Sequence, residues 1–464
     1  MQIKKEYIII GVLFVVALII RLAFAQHCLW VDEARDLTIA RNLATTGHQD
    51  IFGKPYLQHP IFEYLLLIVG GLNVPIILGS LTVVLTFLLG KEIFNVKTGI
   101  VASLFLLVQP LFWFYNLRIL NDTAETFFFV LSLYLFIKFV RTKEDRFAYL
   151  TAIAVGLGCI TRVSCFILIP IIITYLILTK PQIKWKTIAI ATGIFITILA
   201  STILYNLVSL GIPFDLSIYT HHAFVETFDS QPFTYYITSL SQTIGSMLVI
   251  FAGIGIVLSG FSKHDEKGML LVTALILFII GISAVNVKVD RYILPAIPIF
   301  CILAGYGLVT LPKAVKINDK TSLIIVGLVV SLILLFSVQT GIIMIQNSAQ
   351  GFCGLEEMGL FIKENVKQDT TVMAGSYTTI AYYAQRENIV KFPENITEFA
   401  NMVLRDNIRL IVVDKFERTQ PQYIFQYLYN NTEVIPVFAT NNNSVVLLYL
   451  NYSVERSAVV IRPL

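Results

Sequence analysis

From residue 7 to residue 346 this chain is a succession of apolar segments separated by short polar stretches, and no other feature limits its fold as strongly. A hydrocarbon core about 30 Å thick is crossed by roughly 20 mostly apolar residues in a helix. Lipid offers no partner to a backbone N–H or C=O, so each such segment must satisfy its own hydrogen bonds by coiling. The approximate segments are 7–25, 72–90, 98–116, 122–140, 147–160, 163–179, 187–208, 237–259, 268–286, 292–310 and 321–346. The reading is therefore an α-helical polytopic membrane protein with about 11 transmembrane helices, the fifth being the shortest. With 56% hydrophobic and 14% charged residues and a mean hydropathy of +0.77, the chain lies well outside soluble composition.

Cation placement sets the expected orientation. With the amino terminus inside, the inner loops carry Lys4 and Lys5, Lys91 and Lys97, Arg141, Lys143 and Arg146, Lys180, Lys184 and Lys186, Lys263 and Lys267, and Lys313, Lys316 and Lys320, as the positive-inside rule requires. Arg118, Arg162, Lys288 and Arg291 then fall at outer helix ends, where they read as a candidate anion site. The net charge of +4 is mainly this bias and gives no argument for nucleic acid.

Lys4 and Lys5 ahead of the first apolar run read as an uncleaved signal-anchor, although Ala23-Phe24-Ala25 is a tolerable cleavage site. Cys28, Cys159, Cys165, Cys301 and Cys353 are scattered and odd in number, and their spacing implies neither a metal site nor a disulfide framework. After residue 346 composition changes, so the chain divides into a transmembrane module, 1–346, and a small extracytoplasmic α/β domain, 347–464. In the latter 356–366, 380–385, 396–406 and 422–430 read as helices and 371–374, 409–414, 434–439 and 444–449 as strands. Sequons at Asn395, Asn430, Asn442 and Asn451 agree with exposure outside.

The loop over 26–71 is long and internally structured. Ala34, Leu37, Ile39, Ala40, Leu43 and Ala44 have helical spacing over a stretch too polar to span, which predicts an interfacial helix. Asp32 and Glu33 open it, either as caps of free backbone N–H groups or as chemical groups. Other polar stretches on the same expected side are Tyr56–Tyr64 with His59, Arg118–Asp122, Thr161-Arg162, and Lys288–Pro298. His221 and His222 lie in a further outer loop with no strong metal-ligand spacing. They read as lining an acceptor entrance or as solvated. Snorkelling explains any single outer cation, and an aromatic belt explains Tyr292. Arg162 stands between two apolar segments with no acid beside it in sequence, which marks it as functional.

Asp32-Glu33-Ala34-Arg35 before an interfacial helix, Gly-x-Pro-Tyr-x-x-x-Pro at Gly53–Pro60, Arg-x-x-x-Asp at Arg118–Asp122 and Arg-Tyr-x-x-Pro-x-x-Pro at Arg291–Pro298 come in an order that resembles one family. They are similar to the polyprenyl-phosphate-sugar-dependent glycosyltransferases of the GT-C superfamily, in the branch of protein O-mannosyltransferases and lipid A aminoarabinose transferase. The resemblance covers about 1–345, and the trailing domain also resembles those of archaeal and bacterial members. It implies the GT-C fold, Asp32 as the leading catalytic residue, and Glu33 and Asp122 in the same pocket. Gln58-His59-Pro60 departs from the Glu-Lys-Pro usual in aminoarabinose transferases.

The chemistry follows from the donor. A sugar on a polyprenyl phosphate already carries an ionisable leaving group, so its departure needs cations rather than a strong acid, and one base serves the acceptor hydroxyl. Single displacement with inversion is expected, with Asp32 as base. Two carboxylates of the retaining-glycosidase kind are not required. Guanidinium groups match phosphate oxygens, which puts Arg162 and Arg291 first, with Lys288, Arg118 and His59 as helpers. Tyr56, Tyr292, His221 and His222 are pocket candidates for the acceptor. No cofactor is demanded, and a divalent cation is left open.

The expected protein is thus a multi-pass plasma-membrane glycosyltransferase, its catalytic loop and last domain extracytoplasmic. Its partners are a polyprenyl-phosphate sugar, a protein, lipid or glycan acceptor, and membrane lipid, without nucleic acid. The alternative is a transporter or lipid flippase, which would place polar groups near the midplane on broken helices. Here the spans are nearly charge-free in their middles.

Overall fold

The computed structural model describes residues 5–25, 28–47, 50–51, 54–55, 61–211, 230–260, 266–349, 352–393, 395–416, 423–424, 434–440 and 443–451. In chain order these form α1 (Lys5–Ala23), α2 (Val31–Thr46), β1 (Asp50–Ile51), β2 (Lys54–Pro55), α3 (Ile61–Leu65) continued by a π-turn, α4 (Asn73–Ile93), α5 (Val96–Leu107), α6 (Pro110–Tyr115), α7 (Asn121–Thr142) and α8 (Asp145–Thr161). Then come α9 (Leu168–Thr179), α10 (Trp185–Leu210), α11 (Tyr235–Leu240), α12 (Ser246–Gly260), α13 (Glu266–Ser283), α14 (Ile297–Ala314) and α15 (Asp319–Ala349). The last elements are α16 (Cys353–Asn365), β3 (Val372–Ala374), α17 (Tyr377–Ala384), β4 (Ile389–Lys391), α18 (Ile396–Arg405), β5 (Leu410–Asp414), β6 (Val434–Ala439) and β7 (Val445–Leu450). The chain divides into two compact units, one of Met1–Ala25, Asn42–Gln49 and Pro55–Ile345, the other of Gln26–Arg41, Asp50–Lys54 and Gln346–Leu464.

All eleven apolar segments are helical in the first unit. Among the described residues, seven helices are long and apolar enough to cross a membrane, and four shorter apolar helices accompany them. The segment expected at 98–116 is two helices. Gln109 accepts from the Phe112 N–H at 2.6 Å, and Pro110, which has no N–H to donate, opens α6. Ile61–Gly70, expected as loop, is helix and π-turn, because ten mostly apolar residues can pack a face even though they are too few to span. A helix lies at Val31–Thr46, over the stretch whose spacing predicts an interfacial one.

Helices α4, α7 and the stretch Asp290–Ala314 are largely buried, whereas α1, α10 and α15 expose most of their apolar surface. Exposed Ile and Leu in these outer helices suit hydrocarbon rather than water. Close helix crossings need small residues. A Cβ on Gly255 of α12 would lie 2.0 Å from the Leu303 carbonyl oxygen of α14, and one on Gly307 would lie 2.3 Å from that of Phe251. Near the Lys91 end of α4, Glu92 accepts from Lys138 at 2.7 Å and from Arg141, so Arg141, counted as topological, is also ion-paired.

In the second unit five strands lie in the order β4-β3-β5-β7-β6. β3 runs parallel to β4 and β5, and β7 runs antiparallel to β5 and β6. Side chains alternate across a strand: Val372, Ala374 and Val412 join Leu355, Met358 and Ile380 on one face. Met373 and Ile411 join Phe399 and Val403 on the other. Consequently α17 covers one face and α18 the opposite one, as two parallel crossovers demand. β4, three residues paired with β3 alone, carries too short a pattern to read in sequence. Of the helix expected over 422–430 only Tyr423–Ile424 lies within the described residues.

Candidate functional site

In the first unit, polar residues gather where α6 meets α7, where α8 ends and just before α14. Arg162 terminates α8 in extended backbone, φ −155° and ψ 135°, so its side chain leaves the helical path. Its Nη1 pairs with Asp122 and donates to Asn121 Oδ1 at 3.2 Å, and its Nε lies 3.3 Å from Glu125 Oε2. Ser164 Oγ donates to the other oxygen of Glu125. The guanidinium carbon sits 5.0 Å from the centre of the Tyr292 ring, a cation over a π face. Asp122 and Glu125 are almost wholly buried, and Asp122, in the first turn of α7, also complements that helix's positive end.

Around this triad stand further charges. Those of Arg291, Asp122, Asp290 and Arg118 all bear on the buried phenol of Tyr115. Arg118 lies 5.0 Å over the Phe114 ring. Tyr235 donates to Asp290 Oδ1 at 2.8 Å and Tyr236 to the Val289 carbonyl at 3.1 Å. Asp122, Arg162 and Tyr292 are thus in direct contact, with Arg118 and Arg291 bearing on the same neighbourhood through Tyr115.

Two of the expected phosphate ligands differ in their partners. Arg162, first choice for a phosphate, already has its charge compensated by two buried carboxylates that were invisible as neighbours in sequence. Lys288, expected as a helper, stands differently. It is 6% exposed and donates to the backbone carbonyls of Gln231 at 2.8 Å and Val285 at 2.6 Å, with no carboxylate partner among the described residues. Burial pushes its ammonium below the ordinary lysine value. A buried cation with neutral partners is where an anion gains most.

Asp32 and Glu33 belong to the second unit. Glu33, fully buried, turns back to accept from the Trp30 N–H at 2.8 Å, which is the second half of a capping box. Asp32 is about a quarter exposed and pairs with Arg35 at 2.9 Å, and Arg35 also pairs with Asp36 at 3.0 Å. Glu33 thus serves as a cap, and among Asp32, Glu33 and Asp36 it is Asp32 that reaches solvent. Tyr56, His59, His221 and His222 lie outside the described residues.

Sequence reasoning passed over Glu125, Ser164, Tyr115 and Asp290. Glu125 carried a signal, since an acid three residues into an apolar span is itself a functional flag. The cysteine reading also changes: Cys28 and Cys353 form a disulfide across 325 residues of sequence, leaving Cys159, Cys165 and Cys301 as buried thiols. Among the described residues no group of three His, Cys, Asp or Glu side chains is placed to hold a metal ion.

Residues 66–205 match the family model described as dolichyl-phosphate-mannose-protein mannosyltransferase. An uncharacterized protein of Aquifex aeolicus (strain VF5) is 27% identical over 236 residues, 49% of this chain and 46% of that protein, so the match spans less than half of that relative. Among solved structures, ArnT from Cupriavidus metallidurans bound to undecaprenyl phosphate superposes with a TM-score of 0.68 at 12% identity, covering 97% of this chain and 99% of that one. The archaeal oligosaccharyltransferase AglB from Archaeoglobus fulgidus, in complex with an inhibitory peptide and a dolichol-phosphate, gives 0.64 at 14% identity, with 89% and 70% covered. At such identity these two likenesses concern the fold.

Proposed function

We propose that this chain, a membrane protein of the GT-C fold, is a glycosyltransferase that takes a sugar from a polyprenyl-phosphate carrier and passes it, with inversion, to an acceptor hydroxyl on a protein, lipid or glycan. One observation carries the reading. Three segments of a membrane-spanning unit bring ionisable groups together: the buried Tyr115, Arg118, Asp122 and Glu125, the part-buried Arg162, and Asp290 with Arg291, whose charges bear on Tyr115. Buried charge is costly unless it is used.

In the proposed step the acceptor oxygen attacks the anomeric carbon, its proton passes to Asp32, and the bond from that carbon to the phosphate oxygen breaks. The polyprenyl phosphate departs with the electron pair. Its growing negative charge is met by Lys288 and Arg291, aimed at the charge that appears in the transition state rather than at the neutral sugar. Asp122 and Glu125 hold Arg162 against Tyr292 and so shape the wall of the pocket. A Cys28–Cys353 disulfide is at home in an oxidising compartment, which supports an extracytoplasmic second unit and the trans side of the membrane as the place of reaction.

The transporter reading is less supported, because the charges stand at helix ends. Turnover of radiolabelled dolichyl-phosphate mannose by the purified protein, with membrane extract as acceptor source, tests the proposal. Transfer of label by the wild-type chain and its loss in Asp32→Asn are expected; equal rates for the two remove Asp32 from the role of base.

A further inference from the structure

We infer that the second unit is a positioning device for the first-loop carboxylate, and that the Cys28–Cys353 disulfide is its fastening. Residues 28–30 are gripped from three places in that unit. Cys28 is bonded to Cys353 at the start of α16. The Leu29 N–H donates to the Tyr383 hydroxyl of α17 at 3.3 Å. Trp30 stacks on Phe352, ring centres 5.6 Å apart and planes 25° from parallel, and Phe352 lies 5.1 Å from Phe416, just beyond β5.

Phe416 is itself held. Its N–H donates to Asp414 Oδ1 at 2.9 Å while Asp414 Oδ2 accepts from the Ser376 N–H at 3.1 Å, so this carboxylate ties together the turns that leave β5 and β3. In an open parallel sheet the carboxyl ends of the strands are where a ligand usually sits. Here the turn after β5 supports the platform on which Trp30 rests.

The consequence for Asp32 is geometric. Helix α2 begins at Val31 and its first turn is stiffened by the Glu33 cap. One residue, Val31, separates the stacked Trp30 from Asp32, and it is already helical. Whatever fixes Cys28 and Trp30 therefore fixes the carboxylate. A base must be held within a fraction of an ångström of its proton, and a displacement of about 1 Å can lower a rate on the order of 100-fold. The residues concerned are positioning residues, since none of them touches the reacting atoms. The inference rests on the reading of Asp32 as base.

The test uses the full-length protein in lipid nanodiscs, before and after reduction by dithiothreitol and alkylation. The three remaining thiols are buried, so labelling reports Cys28 and Cys353. Two quantities are read together: hydrogen exchange of the peptide spanning residues 29–36, and the kcat and KM for dolichyl-phosphate mannose. Positioning gives faster exchange in that peptide and a kcat lower by about 10-fold or more at a KM changed less than about twofold, with Asp32→Asn unaffected by reduction. Phe352→Leu, which keeps the disulfide and removes the stack, gives an intermediate kcat. Unchanged exchange and unchanged kcat in the reduced wild type overturn the inference even if Asp32→Asn is inactive. Full activity in Asp32→Asn instead overturns the role of Asp32 itself, and the two failures are distinct.

Discussion

Arg162 at the end of α8 pairs with Asp122 at the start of α7, 40 residues earlier in the chain. Helices α7 and α8 are neighbours joined by a short connection, so this ion pair closes the hairpin at the end away from its turn. Glu125 lies one helical turn further into the unit and makes the guanidinium a bridge between two acids. Removing one member of a buried ionic cluster leaves an uncompensated charge, which costs more than the cluster gains by existing.

Arg162→Ala should therefore destabilise the first unit by about 3 kcal/mol or more, seen as a fall in thermal midpoint in detergent. Glu125→Gln retains an acceptor for Ser164 and removes the surplus negative charge, so its midpoint should stay near wild type. A larger loss in Glu125→Gln than in Arg162→Ala would show that the second acid, not the pair with Asp122, dominates.

Lys288→Met should raise the KM for the lipid-phosphate donor by about tenfold, one charge-assisted hydrogen bond, with a smaller change in stability. Equal donor affinity in the variant would remove Lys288 from the phosphate site.

The same lysine predicts opposite pH trends. Burial lowers its value in the folded chain, so on the alkaline side, below the ordinary lysine value, the unfolded chain binds more protons. This group then makes folding more favourable as pH rises through that window. Donor binding should weaken over the same window, because the folded ammonium loses its proton first. Parallel rather than opposed trends in denaturation and donor titrations would contradict a desolvated Lys288.

Glu33 separates capping from catalysis. Glutamine serves at the third position of a capping box as glutamate does, so Glu33→Gln should keep turnover near wild type. Glu33→Ala should cost about 1 kcal/mol of local stability, read as faster exchange at the start of α2. Loss of turnover in Glu33→Gln with α2 intact would place this carboxylate in the chemistry.

Gly307→Leu should separate α12 from α14, since even a Cβ there would meet the Phe251 carbonyl at 2.3 Å. Misfolded or aggregated protein on size exclusion is the expected outcome. Normal behaviour would mean that the crossing can open without loss.

Much of this architecture was open to reading from local pattern. Helix positions in the first unit follow from runs of apolar residues, because a segment in lipid must satisfy its backbone internally wherever it stands. Pro110, which divides one expected span, was visible as a residue but not as a break, since proline is tolerated in spans when neighbours re-satisfy the backbone. In the second unit the alternation of Val372, Met373 and Ala374 between two cores announces a covered strand, while the three residues of β4 repeat too little to announce anything. Asp32, Asp122, Arg162, Lys288 and Arg291 could be singled out because charge beside apolar spans is rare.

By itself the sequence determined the class of fold, the helix positions and the residues worth suspicion, because each of these depends on composition within a window of a few turns. Only the tertiary structure decided what those residues touch. It turned Glu33 into a cap, bound Arg162 to Asp122 and Glu125, left Lys288 with carbonyl partners and joined Cys28 to Cys353. The reason is that charge compensation and disulfide geometry depend on distances of a few ångströms between segments tens to hundreds of residues apart. No periodicity along the chain encodes which helix ends meet.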